Sequence, residues 1–180
     1  MYGAREEAPD FGNHSALVAA IARFLAPQLY VELGIEHATT LIAVLPYCVR
    51  AIAVDIYDRS AECAGFPTAT FIQADSRDFL PTLNDDAIDL CFLDSSHEFA
   101  ATVQEFAWLD RKVRPNGVVL FHDAYPPNSE FAQPGNCGRV CEAVAKLKVD
   151  YASRWEFVTL PAQFGLTIAR KNLGKQLLWL

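Results

Sequence analysis

Five short runs of apolar, β-prone residues set the narrowest limit on how this chain can fold. Each run is apolar at nearly every position and ends close to an acidic residue. The runs are LYVELGI (29–35), AIAVDIY (51–57), ATFIQAD (69–75), IDLCFLD (88–94) and GVVLFHD (117–123). A strand that is apolar on both sides is typical of a sheet covered by helices on both faces. The five runs therefore predict the strands of a parallel sheet.

Stretches with helical spacing separate these runs. The predicted helices are 15–26, 39–47, 76–83, 99–113 and 138–151. The first of them begins with Ser15 as its capping residue. Strands that alternate with helices in this way form βαβ units with right-handed crossovers. Two further runs, 155–160 and 164–170, predict an antiparallel pair that finishes the sheet. We therefore expect a doubly wound α/β fold.

Length and composition predict one globular domain over residues 1–180. Hydrophobic residues make up 52% and charged residues 21%, which suits a folded domain rather than a disordered chain. The net charge of −7 argues against nucleic acid as a partner, because nucleic-acid binding needs clustered positive charge. We expect neither a membrane span nor a secretory signal. The five cysteines contain no C-x-x-C pair, so we expect reduced thiols in a cytoplasmic protein.

Acidic residues recur at the carboxyl ends of the predicted strands. They are Glu32, Asp55, Asp75, Asp94 and Asp123. In an open parallel sheet, ligands bind outside these strand ends. Five carboxylates at one edge repel one another unless a cation, hydroxyl groups or a metal ion compensate their charge. The acids therefore predict a binding site at this edge of the sheet.

The turn after the first strand argues against two common nucleotide sites. A dinucleotide-binding turn has the pattern G-x-G-x-x-G, but VELGIEHATTL (31–41) contains only Gly34. The sequence also has no G-x-x-x-x-G-K-[ST] phosphate-binding loop. The chain therefore lacks the glycines that a dinucleotide-dependent oxidoreductase needs. It also lacks the G-x-S-x-G motif that carries the nucleophilic serine of many hydrolases.

The same turn resembles motif I of class I S-adenosylmethionine (SAM)-dependent methyltransferases. It is similar to a group with the approximate motif E-x-G-x-x-x-G-x-[ST], which includes cephalosporin-hydroxylase-like proteins and macrolide-sugar O-methyltransferases. Glu32, Gly34 and Thr40 match this motif, and Ala38 stands at its second glycine. The resemblance implies that these four residues contact SAM. It also implies a seven-stranded sheet in the order 3-2-1-4-5-7-6, with the last strand antiparallel. A lone Gly34 is also common as a plain turn residue.

The resemblance covers roughly residues 28–145 and implies further cofactor contacts. Asp55 stands where the family binds the ribose hydroxyls, and a carboxylate accepts two hydroxyl donors well. Asp75 and Ser76 stand where the family contacts adenine, and Asp94 is also assigned to the cofactor. For Asp55 and Asp75, a helix cap is the alternative role.

Asp94 and Asp123 predict a divalent cation beside the cofactor. They end adjacent parallel strands, whose ends lie about 5 Å apart. Oxygen ligands suit Mg²⁺, which would assist methyl transfer to an alcohol by stabilising the developing oxyanion. His122 is the third expected ligand. Because neighbours on a strand point in opposite directions, His122 and Asp123 both reach the ion only if the strand has already ended. The alternative for His122 is a buried histidine bonded to the backbone.

The segment DSSH (94–97) matches the family's D-x-x-H pattern, in which the histidine is the proposed general base. The resemblance therefore implies that His97, beside Asp94, removes the proton of the acceptor hydroxyl. An ordinary histidine pKa of about 6.5 suits this role near neutral pH. The alternative for His97 is a structural role at the start of the next helix.

Two segments are expected to flank the site. AYPPNSEFAQPGNCG (124–138) is predicted to be an active-site loop, in which Tyr125 and Phe131 could line an acceptor pocket. Residues 1–14 are expected to form an N-terminal segment that closes the other side. Within it, His14 is expected to serve helix entry rather than ligand contact.

Together these residues predict a SAM-dependent, metal-assisted O-methyltransferase. The resemblance implies an acceptor hydroxyl on a sugar, a glycan or a glycosylated natural product, and the residues do not say which. A phenolic small molecule is the alternative acceptor, and a cofactor-binding module without transfer activity is the alternative function. The apolar ending QLLWL (176–180) either packs on the sheet or forms a contact in a homo-oligomer.

Overall fold

The computed structural model describes residues 13–133, 136–161 and 164–172. Parts of three predicted segments lie outside the described residues: 1–12 of the N-terminal segment, 134–135 of the active-site loop, and the apolar ending 176–180. Within the described ranges, no helix combines the length and the apolar character that crossing a bilayer requires.

Strands and helices alternate along the described chain. The strands are β1 (Leu29–Leu33), β2 (Arg50–Asp55), β3 (Ala69–Gln73), β4 (Ile88–Leu93), β5 (Val113–Phe121), β6 (Trp155–Leu160) and β7 (Leu166–Lys171). The helices are α1 (Asn13–Leu25), α2 (Thr39–Val44), α3 (Ser60–Cys63), α4 (Ser76–Phe79), α5 (Phe99–Lys112) and α6 (Val140–Asp150). Short 3-10 turns, Leu45–Tyr47 and Leu80–Thr82, follow α2 and α4. Each contains a proline, which cannot donate the next helical hydrogen bond.

The seven strands form one sheet in the order β3-β2-β1-β4-β5-β7-β6, which confirms the predicted order. The neighbours from β3 to β5 are parallel, and β7 runs antiparallel to both β5 and β6. The register places Leu33 of β1 opposite Leu93 of β4, and Leu93 opposite Phe121 of β5. The residues that follow these three strands therefore meet at the carboxyl edge of the sheet.

Helices cover both faces of the sheet, as the doubly apolar strands predicted. On one face, α4, α5 and α6 pack against the strands, and Phe106 of α5 is fully buried there. On the other face, α1 and α2 contribute the buried side chains of Val18 and Leu41. Successive residues of β4 serve opposite faces, since Phe92 packs with α1 and α2 while Leu93 packs with α5. Each such side chain contributes about 1.5–3 kcal/mol through burial.

Two elements begin elsewhere than the sequence suggested. β5 begins at Val113, ahead of the predicted strand 117–123, and the Pro-Asn-Gly segment 115–117 lies inside it, where the register against β4 shifts. A Pro-Asn-Gly segment is typical of a turn, but here it forms an irregularity within the strand. Helix α1 already includes Asn13, so Ser15 lies in its first turn and does not cap it. The buried hydroxyl of Ser15 faces α2 rather than the N–H groups of its own helix.

Gly34 allows the end of β1 to approach the end of β4 closely. Its φ is 82°, and a Cβ atom there would overlap the carbonyl oxygen of Asp94 and come within 2.7 Å of the Cα of Ser95. The N–H of Gly34 also donates to the carbonyl of Val54 in β2 at 2.8 Å. This glycine therefore joins the ends of three strands at the carboxyl edge.

Gly34→Ala should destabilise the protein more than Gly65→Ala. Both glycines have positive φ (82° and 89°), so either alanine adopts a left-handed conformation at a cost of about 1–2 kcal/mol. Only at Gly34 would the new Cβ also collide with backbone, which adds roughly 1–3 kcal/mol, whereas Gly65 faces open space. Urea unfolding of both variants measures the difference in free energy of unfolding. Equal losses would contradict the close approach at Gly34.

Candidate active site

A cavity of about 1280 Å³ opens at the carboxyl edge of the sheet. Its wall includes all of the predicted site residues except one: Glu32, Gly34, Thr40, Asp55, Asp75, Ser76, Asp94, His97, His122 and Asp123. Pockets for a single small ligand usually measure about 300–1,000 Å³. The cavity is therefore larger than a typical pocket for one small ligand.

Ala38 is the exception, because it is fully buried and lies behind the wall rather than on it. Its backbone is left-handed, with φ 53° and ψ 20°, and α2 begins directly after it. Ala38 thus adopts the conformation that favours glycine, the residue at this position in the motif. The structure gives it a role in the turn and does not bring it to the cavity.

Thr40 connects the cavity wall to α1. Its hydroxyl forms a hydrogen bond with the Ser15 hydroxyl at 2.8 Å and lies 3.3 Å from Nε2 of His14. His14 is itself on the wall, and its ring centroid lies 4.2 Å from that of His122. We expected helix entry rather than ligand contact for His14, and its position on the cavity wall favours the role that was not preferred. Nothing in the local sequence marks a contact between residues so far apart.

Glu32 is a buried acid at the floor of the cavity. Only 2% of its surface is exposed, and the hydroxyl of Tyr30 donates to its Oε2 at 2.6 Å. Burial raises the pKa of Glu32 to about 8, with a further rise from the charge of Asp94, although the Tyr30 hydrogen bond acts in the opposite direction. Burial therefore favours the protonated form of this side chain.

Asp55 and Asp75 both hold backbone N–H groups. Asp55 accepts from the N–H of Ile35 at 3.1 Å and from that of Tyr57 at 2.9 Å, so it fixes the turn after β1. Asp75 caps α4 by accepting from the N–H of Arg77 at 2.8 Å, which is the alternative role considered for it. Hydrogen bonding to the Arg77 side chain lowers the pKa of Asp75 to about 2.

Glu105 of α5 is a second buried acid, and the sequence analysis missed it. It has no exposed surface, and its Oε1 accepts from the hydroxyls of Ser76 and Ser95, which both line the cavity. Its Oε2 has no hydrogen-bond partner among the described residues, and burial raises the pKa of the carboxyl. Helical spacing could have identified Glu105 as a buried acid, because it falls on the buried face of α5 between Thr102 and Leu109.

Asp94, His97 and Asp123 bring three metal-ligating groups together. One ligand atom from each lies within 4.8 Å of the others. Nε2 of His97 is 3.1 Å from Oδ2 of Asp123 and 3.6 Å from Oδ1 of Asp94, while its Nδ1 contacts the carbonyl of Asn136. Hydrogen bonding to Asp94 and the charge of Asp123 raise the pKa of His97.

His122 lies beside the same two carboxylates. Its Nδ1 is 3.3 Å from Oδ1 of Asp94 and 3.4 Å from Oδ1 of Asp123, yet neither ring nitrogen forms a hydrogen bond with another described residue. The alternative of a histidine bonded to the backbone is therefore not observed. Burial lowers the pKa of His122, but the two carboxylates outweigh it and raise the value to about 10. Burial likewise raises the pKa of Asp94, and the two imidazoles outweigh it and lower the value to about 2.

The end of β5 explains how His122 and Asp123 reach the same point. The strand ends at Phe121, so the side chains of His122 and Asp123 do not have to point to opposite faces of the sheet. The predicted metal site required the strand to end before these two residues. Asp123 has φ 55°, a conformation that non-glycine residues adopt only when their surroundings hold it. The thiol of Cys137 donates to Oδ1 of Asp123 at 3.4 Å, which supplies part of that support.

The predicted active-site loop contributes one of its two candidate aromatic residues. Phe131 lies on the cavity wall, with its ring centroid 5.1 Å from that of Phe164, a wall residue from the segment between β6 and β7. Tyr125 is 54% exposed and does not line the cavity. The loop therefore contributes Phe131 to a pair of phenylalanines on the wall, and the sequence analysis did not consider the other member, Phe164.

A doubly wound sheet in this strand order, with its cavity at the carboxyl edge, defines a Rossmann-like class I methyltransferase fold. The model of the family described as "Methyltransferase domain" matches residues 13–124, so the chain belongs to that family. No curated protein sequence matches the chain significantly.

Solved structures with low sequence identity share this fold. A protein from Corynebacterium glutamicum has a TM-score of 0.74 at 15% identity, covering 94% of this chain and 85% of its own. The O-methyltransferase TomG from Streptomyces achromogenes, solved with SAM, has a TM-score of 0.70 at 18% identity, covering 89% and 80%. An O-methyltransferase from Bacillus cereus in complex with SAH has a TM-score of 0.68 at 11% identity, covering 94% and 84%.

Glu32→Gln should remove a specific pH dependence of stability. Between the ordinary carboxyl pKa of 4.5 and the folded value of about 8, the native protein holds a proton that the unfolded chain has released. The stabilisation of the folded state by this proton is fully present below pH 4.5. As the pH rises from 4.5 towards 8, the free energy of unfolding falls by about 1.4 kcal/mol per pH unit on this account. Denaturant unfolding of the wild type and the variant across this range measures it.

The control for this experiment is Glu36→Gln, since Glu36 is largely exposed. The control should follow the wild-type pH profile, while Glu32→Gln should lose less stability towards alkaline pH. Parallel profiles for all three proteins would show that Glu32 ionises normally in the folded state.

Proposed function

We propose that the chain is a SAM-dependent O-methyltransferase, assisted by a divalent cation, that acts on a hydroxyl group of a sugar, a glycan or a glycosylated natural product. The observation that carries the proposal is the convergence of the predicted cofactor acids and the metal-ligating side chains on one cavity wall. The cavity volume accommodates a methyl donor and an acceptor together. The crystallisation of TomG with SAM, and of the Bacillus cereus O-methyltransferase with SAH, supports the choice of cofactor.

The donor is proposed to lie along the ends of β1, β2 and β3. Gly34 presents no side chain there, so a ligand can approach the backbone closely. The carboxylate of Asp55 would accept from the ribose hydroxyls, and Asp75 with Ser76 would face the adenine. Glu32 and Thr40 complete the predicted contacts from the first strand and its helix.

Asp94 and Asp123, with His122, are the residues proposed to hold the cation, for which the sequence predicts Mg²⁺. A bound cation would stabilise the negative charge that forms on the acceptor oxygen as its proton leaves. His97 is proposed to accept that proton. Because its Nε2 faces the two carboxylates at 3.1 and 3.6 Å, a ligand role competes with the base role.

The acceptor is proposed to lie between the cation site and the aromatic wall. Phe131 and Phe164 present flat apolar rings, which suit the apolar face of a sugar. The same rings also suit a phenol, and this observation keeps a phenolic small molecule as the second candidate acceptor.

A cofactor-binding module without transfer activity is the alternative function. The alanine at position 38 favours it, because the motif has glycine there. The set of Asp94, His97 and Asp123 opposes it, because a module that only binds the cofactor has no need of a cation site. A cytoplasmic location is part of the proposal and agrees with the five free thiols.

Asp55→Asn should weaken binding of S-adenosylhomocysteine. The amide offers one acceptor oxygen in place of two, and losing a charge-assisted hydrogen bond of about 1.5–3 kcal/mol corresponds to a loss of about 10- to 100-fold in affinity. Isothermal calorimetry of the wild type and the variant measures it. The matched control is Asp58→Asn, whose exposed carboxylate bonds to Ser60 and should change affinity by less than about twofold.

A wild-type protein that does not bind S-adenosylhomocysteine would remove the proposed cofactor. If the cofactor binds, transfer from methyl-labelled SAM to a panel of sugars, glycosides and phenols tests the remainder. We expect label on a glycosidic hydroxyl. Label on phenols alone would establish the second acceptor class, and no label on any acceptor would favour the binding module.

A further inference from the structure

One buried carboxyl group joins the hydroxyls of two separate strand ends. Ser76 follows β3 and Ser95 follows β4, and β2 and β1 lie between these strands in the sheet. Both hydroxyls nevertheless donate to the same oxygen, Oε1 of Glu105, and the bond from Ser95 measures 2.5 Å. Glu105 has no exposed surface, whereas both serines lie on the cavity wall. The carboxyl group therefore holds two wall residues together from behind.

The direction of these hydrogen bonds determines what the serines can offer to a ligand. A serine hydroxyl carries one hydrogen and two lone pairs. Ser76 and Ser95 both give their hydrogen to Glu105, so neither has one left for the cavity. Oε1 accepts both hydrogens whether the carboxyl group is ionised or carries a proton on Oε2. Towards the cavity, the two hydroxyls therefore act only as hydrogen-bond acceptors.

The neighbouring charged pair adds to the acceptor character of this part of the wall. Asp75 directly precedes Ser76, and an ionised carboxylate has only acceptor atoms. Arg77 also lines the cavity, but its Nε and Nη2 donate to Asp75 at 2.9 and 2.5 Å. These two nitrogens are therefore directed at the carboxylate, and the acceptors of the serines remain without a donor from this pair.

The packing of the core does not explain a carboxyl group at position 105. The hydroxyls of Ser76 and Ser95 are the hydrogen-bond donors that Glu105 has within the described part of the chain, and its buried Oε2 has none there. A buried acid with an unpaired oxygen costs free energy that an apolar residue would avoid. The position of Glu105 therefore serves the two hydroxyls rather than the core.

We propose that Glu105 is a positioning residue that makes the hydroxyls of Ser76 and Ser95 acceptor-only, so that the cavity selects a nucleobase with an exocyclic amino group over its deaminated, oxo counterpart. The inference rests on the proposed function, which places the adenine of the cofactor at Ser76. Adenine presents the donor hydrogens of its N6 amino group, whereas hypoxanthine presents an acceptor oxygen at the same position. An acceptor that faces acceptor-only hydroxyls leaves both sides without a hydrogen bond.

The test compares two cofactor products that differ by this deamination, S-adenosylhomocysteine and S-inosylhomocysteine. Isothermal calorimetry of the wild-type full chain should show about 10- to 100-fold tighter binding of the adenosyl compound. Equal affinity of the wild type for the two compounds would overturn the proposal.

Glu105→Gln should reduce this preference by about tenfold. A glutamine that turns its NH₂ group towards the two serine oxygens leaves one buried acceptor unpaired, whereas the opposite orientation leaves two donors unpaired. The amide therefore donates to both serines, and the hydroxyl hydrogens become free to face the cavity. The hydroxyls can then donate to the oxo group, so the inosyl compound gains affinity relative to the adenosyl compound.

Glu105→Met is the second variant, because methionine has a similar length and offers at most a weak acceptor. It also frees both hydroxyl hydrogens and should reduce the preference to a similar extent. The matched control is Glu142→Gln, since the Glu142 side chain is 52% exposed and pairs with Arg139, and it should change the ratio of the two affinities by less than about twofold.

The ratio of the two affinities separates positioning from a purely structural role. If Glu105 were only structural, its loss would weaken the binding of both compounds equally and leave the ratio unchanged. Circular dichroism verifies folding of each variant. A wild-type ratio in either folded Glu105 variant would overturn the proposal.

A double-mutant cycle tests whether Glu105 acts through the serines. In a protein that already carries Ser76→Ala and Ser95→Ala, Glu105→Gln should change the ratio by less than about twofold. A further tenfold change in that background would show that Glu105 acts by another route, which would overturn the proposal.

Failure of this inference and failure of the proposed function give different results. If the wild type binds S-adenosylhomocysteine but the ratio does not respond to Glu105, the positioning role is wrong and the proposed cofactor stands. If the wild type binds neither compound, the proposed cofactor is wrong, and the inference that rests on it is wrong as well.

Discussion

Two carboxylates and two imidazoles face one another at the carboxyl edge of the sheet, and the geometry of the site depends on this meeting. Two like charges about 4 Å apart repel by about 4 kcal/mol at an effective dielectric constant of 20. Asp94 and Asp123 therefore need a positive partner, which either protonated imidazoles or a metal ion supplies. The left-handed backbone of Asp123 and the close approach at Gly34 hold these groups in place. Strained backbone and close approaches of this kind are typical of binding sites, where they position side chains at the expense of stability.

Buried acids behind the wall continue the same pattern. Glu32 lies under the proposed donor position, and Glu105 holds the hydroxyls of Ser76 and Ser95 from behind. An apolar residue at either position would stabilise the core more, because burying a carboxyl group costs free energy. Their presence indicates that the wall needs fixed polar groups at this end of the cavity.

Much of the fold could be predicted from the sequence because it depends on local patterns. Continuous apolar runs gave the strands, and the acids after them gave the carboxyl edge. The bulge at 115–117 could not be predicted, since a Pro-Asn-Gly segment is typical of a turn and only pairing with β4 keeps it in the strand. The contact between His14 and His122, and the position of Phe164, depend on tertiary packing that no local pattern encodes.

The roles of the two histidines show the same limit within the site. Sequence motifs placed His97 and His122 near the two carboxylates, and the structure brings all four together. Which nitrogen faces which oxygen depends on where β5 ends and on the contact of His97 with Asn136. Neither is encoded in the spacing of the motif, so the sequence alone could not give the arrangement of these four side chains.

The central claim is that one cavity holds a methyl donor and a metal ion next to each other. A crystal structure of the protein with S-adenosylhomocysteine and with Mn²⁺ in place of Mg²⁺, with anomalous data at the manganese edge, tests it most directly. The account predicts one anomalous peak between Asp94 and Asp123, with the cofactor in the same cavity and its ribose at Asp55. A metal peak elsewhere, or a cofactor bound outside this cavity, would contradict it.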